Sequence, residues 1–479
     1  MATRPDTIPE VVKKRLNLRN LLQGIDLTKT FPETPGPASA YQRVVDINPD
    51  CPPWPVFRGY YTFSFANAII GHRLPTILGK AIEDDGIVDL LAYVKQLEGN
   101  GRLRPIIDDG EADIALWNKE IAKCFIGKDF MNATWLFAET YKYRRLRECF
   151  AVSKKRANVD VFFRPCDTFS GSRSLDAIFD LSTRFAKPYQ HAVEIAGEQG
   201  PAEAIRFMFF ELSQVCLWGN STDLSLPINM TEKQIKSLQS TMNILGNHMN
   251  RLWEIIRDMK GKGPNGQGGR TDFVLDNVGF ELYCDCVYAD FPIQAVLVSE
   301  VRFHGKRYPW FVSDVTKKDW EWLLNIIVYG YLFPQASGVE RESLSKLGQR
   351  WKQHPFWCTG FTFWDFRTEA PDLFLHLSES DLVVFKGDFN NRKVTYERLC
   401  AAPASTPFEE AIEPIASAAG APRVCSMRTI KSNLVVGLGE NGNEISAISD
   451  KEEDGLKISG KYAMVLVSEG RPGEPISFA

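Results

Sequence analysis

The spacing of apolar positions changes about half-way along the chain, and the change predicts two kinds of structure. From about residue 84 to residue 217, apolar residues recur at helical spacing with few β-branched runs. Helices are predicted near 85–97, 111–126, 130–149, 173–194 and 201–217. Before them, residues 1–60 are rich in proline, and DINPDCPPWPVF reads as an extended clasp. The longest stripe runs from Thr231 to Met259. Ile235, Leu238, Met242, Leu245, Met249, Leu252, Ile256 and Met259 recur there at steps of three and four, behind a Thr231/Gln234 capping box. One long helix lying across two lobes is expected rather than a coiled coil, because no second such stripe exists to pair with it.

Beyond the glycine-rich loop KGKGPNGQGGR (260–270), which lacks the GK[ST] ending of a P-loop, the texture becomes short apolar runs. These are FVLDN (273–277), IQAVLVSEV (293–301), WFVSDV (310–315), DLVVFKGD (381–388), RVCSM (423–427), NLVVGL (433–438) and AMVLVSEG (463–470), with helical stretches between most of the earlier ones. Strand–helix alternation predicts an α/β fold: a mostly parallel, Rossmann-like α/β/α sandwich with a helical N-terminal lobe. The expected division is a mainly helical lobe at 1–230 and an α/β catalytic domain at 231–479, and a chain of 479 residues suits two or three lobes.

In such sheets ligands bind beyond the carboxyl ends of the strands. Four of the runs end there in polar clusters: Asp276-Asn277, Ser313-Asp314, Lys386-Gly387-Asp388 and Arg428-Thr429-Ile430-Lys431. Asp276, Asn277 and Asp314 offer two carboxylates and an amide oxygen, a hard-oxygen set for an ion such as Mg. Lys386, Arg392, Arg428 and Lys431 offer positive charge, and a helix starting near Asn390 would add backbone N–H groups for an anion. A metal beside cations suits phosphate esters. Taken singly, each cluster has an ordinary explanation: Asp276-Asn277 reads equally as a helix cap, Asp314 more readily as a cap, Lys386 as a solvated cation and Arg428 with Lys431 as a surface pair. Their shared position at strand ends favours the functional reading.

Composition narrows the partners. A net charge of −4 and a pI near 6.0 supply no basic excess for a phosphate backbone, so no nucleic-acid partner is expected. No apolar run approaches the roughly 18 residues of a membrane helix, and the N-terminus has no secretory h-region, so a cytoplasmic or nuclear chain off the membrane is expected. The ten cysteines form no CxxC and are expected to be reduced and buried, and the six histidines are dispersed without HxxxH spacing. Oxygen ligands are therefore expected for any metal. Gly437-Leu438-Gly439-Glu440-Asn441-Gly442 matches GxGxxG, but NEISAISDKEEDG follows it instead of a helix, so a hairpin turn is expected.

WGNSTDLSL (218–226), LDNVGFELYCD (275–285), HGKRYPWFVSDV (304–315), SDLVVFKGDFNNRKVT (380–395) and RTIK (428–431) closely resemble the metal-dependent damage-control phosphatase family. The resemblance is to its eukaryotic sugar-phosphate subgroup, whose members are also described as protein-glutamate O-methyltransferases. RLPTIL (73–78) and TWLFAETYKYRRL (134–146) resemble that family's helical region. The resemblance implies that Asp276, Asn277 and Asp314 bind a divalent metal (Mn, Co, Ni or Mg). It implies that Asp388, Phe389, Asn390, Asn391 and Arg392 form a phosphate-binding loop, and that Lys431 is the lysine of the RTxK signature. The activity it implies is hydrolysis of small phosphorylated metabolites, fructose 1-phosphate among them. Val278 stands where a small residue is expected and Asn391 where an aromatic is. The tract AAPASTPFEEAIEPIASAAGAP (401–422) reads as a low-complexity insertion and a mobile loop. Two other functions compete. One is methyl transfer from S-adenosylmethionine to a protein carboxylate, and the other is a non-catalytic scaffold that docks a protein partner. The convergence of several motifs on phosphate chemistry favours the phosphatase.

Overall fold

The computed structural model describes, with short gaps, residues 100–162, 201–219, 243–329, 350–397, 406–438 and 462–476, together with a few positions before residue 100. Its centre is a seven-stranded sheet in the order β1-β7-β6-β5-β2-β3-β4. The strands are β1 (Ile244–Asn247), β2 (Gly269–Val274), β3 (Val298–Gly305), β4 (Trp351–Gln353), β5 (Leu382–Lys386), β6 (Val424–Thr429) and β7 (Ala463–Ser468). β6, β5, β2, β3 and β4 run parallel; β7 is antiparallel to β6, and β1 runs parallel to β7. This is the mostly parallel α/β sheet expected. The chain winds outward from β2 through β3 to β4 and then returns to β5 on β2's other side. The β2/β5 boundary is thus the topological switch point, where the loops diverge and leave a crevice.

Every residue of β2, β5, β6 and β7 is buried, as parallel strands covered on both faces require. The alternation of side chains splits the core into two layers. Phe273, Phe303 and Val384 pack with α3 (Pro201–Trp218), α4 (Met249–Arg257), α5 (Phe280–Gln294) and α6 (Lys317–Tyr329). Val274, Val383 and Phe385 pack on the opposite face with α7 (Pro371–Ser378) and the aromatic turns around Phe356, Trp357, Phe363 and Phe366. A third cluster centres on α1 (Ile114–Glu120) and α2 (Trp135–Ala151), capped by the Thr134 hydroxyl accepting from Phe137 N at 3.2 Å. It reaches the sheet domain through Tyr308, Trp310 and Phe389. The helix expected near 173–194 lies outside the described residues, as does nearly all of 85–97.

Several expectations need correction, and one is NLVVGL, which is no strand over its described residues 434–438. The stripe from Thr231 to Met259 is not one helix. Ile244–Asn247 is a strand pairing with β7, and within the described part of the stripe, from residue 243 on, the helix is Met249–Arg257, burying Met249, Leu252, Ile255 and Ile256; residues 231–242, the capping box among them, lie outside the described residues. A sheet edge offering backbone partners overrode the local period. WFVSDV is not a strand. Phe311 and Val312 both take left-handed backbone angles, at φ 45° and 71°, which breaks any extended run. Residues 406–421 do not form a loose loop: short helices at Phe408–Ala411 and Glu413–Ala416 bury Phe408, Ala411, Ile412 and Ile415 in the core. The alanines that lower the complexity are there because close packing wants small side chains. Six cysteines, at 149, 216, 284, 286, 358 and 425, are free and buried as expected, whereas Cys124 is disulfide-bonded. No helix among the described residues is long and apolar enough to cross a membrane.

Candidate active site

β2 delivers Asp276 and Asn277 just past its carboxyl end, at the switch point. Gly279 then turns the chain into α5 with φ 78°, an angle that a residue with a Cβ adopts only under strain. Backbone pairing fixes what faces Asp276. Val315 N donates to Asp276 O at 2.9 Å, and Val278 N donates to Ser313 O at 2.7 Å, which sets Asn277 opposite Asp314. Lys306 N, at the end of β3, donates to Val315 O at 2.8 Å. The two left-handed residues before Ser313 are the bend that makes this pairing possible. Asp276 and Asp314 are therefore neighbours through the main chain, although 38 positions apart in the sequence.

The side chains form one network. Asn277 Nδ2 donates to Asp276 Oδ2 at 2.7 Å and to Glu281 Oε2 at 2.9 Å, while Ser313 Oγ donates to Asn277 Oδ1 at 2.5 Å. Across the crevice stands Gly387, whose φ is 80° and where a Cβ would lie 1.8 Å from Asp276 Oδ2. Only glycine allows this approach of β5's end to the carboxylate.

Electrostatics marks the cluster. Asp276, Glu281 and Asp314 are all buried. Burial, then the charges of Glu281 and Asp314, push the Asp276 carboxyl well above the usual range, against the opposing pull of Lys431 and Lys306. Burial lifts Glu281 to about 7 and Asp314 to about 6. The nearby cations are partly spent: Lys386 pairs with Asp285 at 3.1 Å, and Lys306 Nζ lies 3.3 Å from Asp314 Oδ2. Three carboxyl groups share a buried site with too little positive charge. Asp314 Oδ2 is also buried without an aligned hydrogen-bond donor. A divalent cation is what such a donor set fits, since carboxylate and amide oxygens are hard ligands.

The other residues singled out from the sequence fall into two groups. Lys431 is exposed at the end of β6. Gly387–Val394 is α8, beginning at the crevice, so Asp388, Phe389, Asn390, Asn391 and Arg392 all lie in one helix beside Asp276. Within it, however, most side chains are already committed. Asp388 Oδ1 accepts from Arg428 Nη1 at 2.6 Å, and from Lys431 N and Ser432 Oγ, each at 3.1 Å, tying α8 to the loop that carries Lys431. Arg428 is consumed by Asp388, Ser432 and the Leu434 carbonyl. Asn390 Nδ2 donates to Leu275 O and Lys386 O, holding β2 and β5 together, and Asn391 Oδ1 accepts from Ser426 Oγ. Phe389 packs on Phe311. Arg392 pairs with Glu139 at 2.8 Å and Glu397 at 2.6 Å over the ring of Trp135, anchoring the helical cluster. Lys386 is buried against α3 and α5.

Sequence reasoning missed Glu281 and Lys306 as site residues, and it named Ser313 and Gly387 only as members of the strand-end clusters. Glu281 carried a weak signal, standing one helical turn past Asn277 in the segment DNVGFE; Lys306 carried only its place in the HGKRYPWFVSDV stretch. It also missed a second cluster, Asp272, His304 and His376, whose ligand atoms lie within 4.8 Å of one another. Residues 304 and 376 meet only through the sheet. Here Arg270 Nε binds Asp272 Oδ2 at 2.7 Å, His304 Nε2 lies 2.7 Å from Asp272 Oδ1, and Arg302 Nη1 lies 3.2 Å from His376. Two arginines already occupy the positive role, so the oxygen set at Asp276 is the better seat for a divalent ion.

Comparison with known proteins shows the family of the chain. A family model described as the damage-control phosphatase ARMT1-like domain matches residues 69–445. The chain is 34% identical over 443 residues to damage-control phosphatase ARMT1 of Xenopus tropicalis, covering 85% of this chain and 96% of that protein. It is 29% identical over 438 residues to the protein of the same name from Homo sapiens, covering 84% and 95%. A crystal structure of a DUF89 family protein from Pyrococcus horikoshii aligns with 84% of this chain and 98% of that one at 14% identity, with a TM-score of 0.39, too low to carry an argument.

Proposed function

Because the chain belongs to the damage-control phosphatase ARMT1-like domain family, we propose that it is a metal-dependent phosphatase that hydrolyses small phosphorylated metabolites, with its chemistry at Asp276. The observation that carries this reading is the buried, under-compensated carboxyl cluster at the switch point of the sheet. Asp276, Asn277 and Asp314 would hold a divalent ion (Mn, Co, Ni or Mg). When bound, the ion polarises a phosphoryl oxygen and lowers the pKa of a coordinated water.

The chain's own residues do the rest. Ser313 and Glu281 fix the Asn277 amide from two sides. Gly387, with no side chain, lets the start of α8 close up against the Asp276 carboxylate. The first N–H groups of α8 lie beside Asp276 with the positive end of the helix dipole, and Lys431 adds an exposed cation at the rim. Asp388 keeps Lys431 in place through its main chain. Sugar phosphates, with fructose 1-phosphate first, are the substrates to try. The shared name of the relatives is a phosphatase name, which does not favour methyl transfer from S-adenosylmethionine. A cytosolic or nuclear location goes with this reading, and cell fractionation tests it.

The decisive assay is phosphate release from a panel of sugar phosphates with each of the four metals, before and after chelation. Turnover that needs the metal supports the reading; full turnover in excess chelator would sink the metal's role.

A further inference from the structure

Three buried lysines stand near the carboxyl edge of the sheet, and counting their donors separates them. An ammonium group has three N–H donors and no acceptor, and each donor left unfilled in a buried site is costly. Lys386 fills its donors with Cys216 O at 2.7 Å, Cys216 Sγ at 3.2 Å and Asp285 Oδ1 at 3.1 Å. Lys393 fills its donors with the carbonyls of Thr359 at 2.7 Å, Gly360 at 3.0 Å and Phe361 at 2.7 Å. Both are structural rivets.

Lys306 differs. It is 1% exposed, yet among the described residues its Nζ has one polar partner, Asp314 Oδ2 at 3.3 Å. Its other neighbour is the Phe389 ring, whose centroid lies 5.5 Å away in the first turn of α8. Its main chain is held at both polar atoms, by Val315 O and by the Gln353 side chain, so the lysine stem starts from a fixed point. The ammonium thus sits between the carboxylate set of Asp276 and Asp314 and the start of α8, with donors to spare.

We infer that Lys306 is a catalytic residue, donating hydrogen bonds to the phosphoryl oxygens of the substrate while its charge faces Asp314. The inference rests on the phosphatase reading and deepens it. It transfers to Lys306 the buried cationic role that the sequence offered to Lys386 and Arg392, whose side chains are occupied elsewhere. A phosphoryl group held at Asp276 would meet Lys306, which faces Asp314 and the Phe389 ring, and the N–H groups at the start of α8.

The test is calorimetric binding of inorganic phosphate to the Mn-loaded full-length protein, with Mn affinity measured separately by the resonance signal of free Mn. In Lys306→Met, phosphate affinity should fall about 10- to 100-fold, the usual worth of hydrogen bonds to a charged group. Mn affinity should hold or improve, because Asp314 loses a competing cation. Lys306→Arg should keep phosphate affinity within about tenfold of wild type. If Lys306→Met does not fold, Lys306→Gln, which is shorter and polar, takes its place with the same expectation. Phosphate affinity within twofold of wild type in the uncharged variant would overturn the role of Lys306 alone. A lysine that only balances Asp314 would give that result. Wild-type protein that binds no phosphate with Mn present would overturn the phosphatase reading together with it.

Discussion

Two aspartates on the β2 segment, four residues apart, have opposite fates. Asp272 lies inside the sheet, where Arg270 and His304 bind its two oxygens and hold its carboxyl far below the usual range despite burial. Asp276 lies past the strand's end, where Glu281 and Asp314 crowd it and burial drives it upward. Both are buried carboxyls on one strand path. The difference is charge compensation: the first is complete as the chain folds, while the second is left in want of a cation. A buried ion pair that is complete serves the fold, and a buried carboxyl cluster that is incomplete is a site for something else.

The sharpest way to break this contrast is to neutralise each aspartate in turn. Asp276→Asn should lower metal-dependent phosphate release by about 10³-fold or more, with a melting temperature no lower than wild type, since it relieves repulsion among carboxyls. Asp272→Asn should do the reverse. It takes the buried carboxylate from Arg270 and His304, leaving Arg270 only the exposed Glu379 and the His376 carbonyl, and should cost about 3 to 5 kcal/mol in urea unfolding, with turnover per folded molecule little changed. Should Asp272→Asn abolish turnover and leave stability intact, the Asp272–His304–His376 cluster would be the metal centre instead.

A pH series sharpens the same contrast more gently. In metal-free protein, Asp276, Glu281 and Asp314 have carboxyl pKa values raised by folding, to about 7 for Glu281 and about 6 for Asp314. Their contribution to stability is complete below the unfolded values near 4 and is lost as pH rises through about 6 to 7. Stability should therefore drop by roughly 1 to 3 kcal/mol over that window, and Asp276→Asn should flatten part of the drop. Asp272 acts oppositely: its stabilisation is present above its unfolded value near 4 and is lost in acid, so Asp272→Asn should remove acid sensitivity. Thermal melts from pH 3 to pH 8 with chelator present would check both signs. The smallest effect is expected from Ser313→Ala, which removes one hydrogen bond to the Asn277 amide. Turnover should fall about 3- to 10-fold and metal affinity should weaken slightly; no change in either would show that Glu281 alone orients Asn277.

Much of the sheet was legible in the sequence because it is written in short range. Apolar runs of four to six residues bounded by turn residues give β2, β5, β6 and β7 to within a few positions. The polar ends of those runs then indicated one edge of a parallel sheet. The failures were also local readings. Leu245 and Met249 fit a helical stripe, yet a strand ends between them because β7 offered backbone partners. Trp310 to Val315 alternates like a strand, yet it bends at Phe311 and Val312 so that Asp314 can be set beside Asn277.

By itself, then, the sequence determined the fold class and the order of the parts, and it put Asp276-Asn277 just past a strand's end, since these follow from neighbours a few residues away; that Asp314 stands opposite Asn277 came from pairing between distant segments. Only the tertiary structure decided which charges are already spent. Lys386 is neutralised from α5 and anchored on α3, Arg392 by Glu139 on α2, and Arg428 by Asp388 on α8. Lys306, which the sequence offers only as one residue within the HGKRYPWFVSDV stretch, has a single polar partner, Asp314, among the described residues. Burial and charge pairing are sums over partners brought in from distant positions, so whether a cation is a rivet or a ligand cannot be read until those partners are in place.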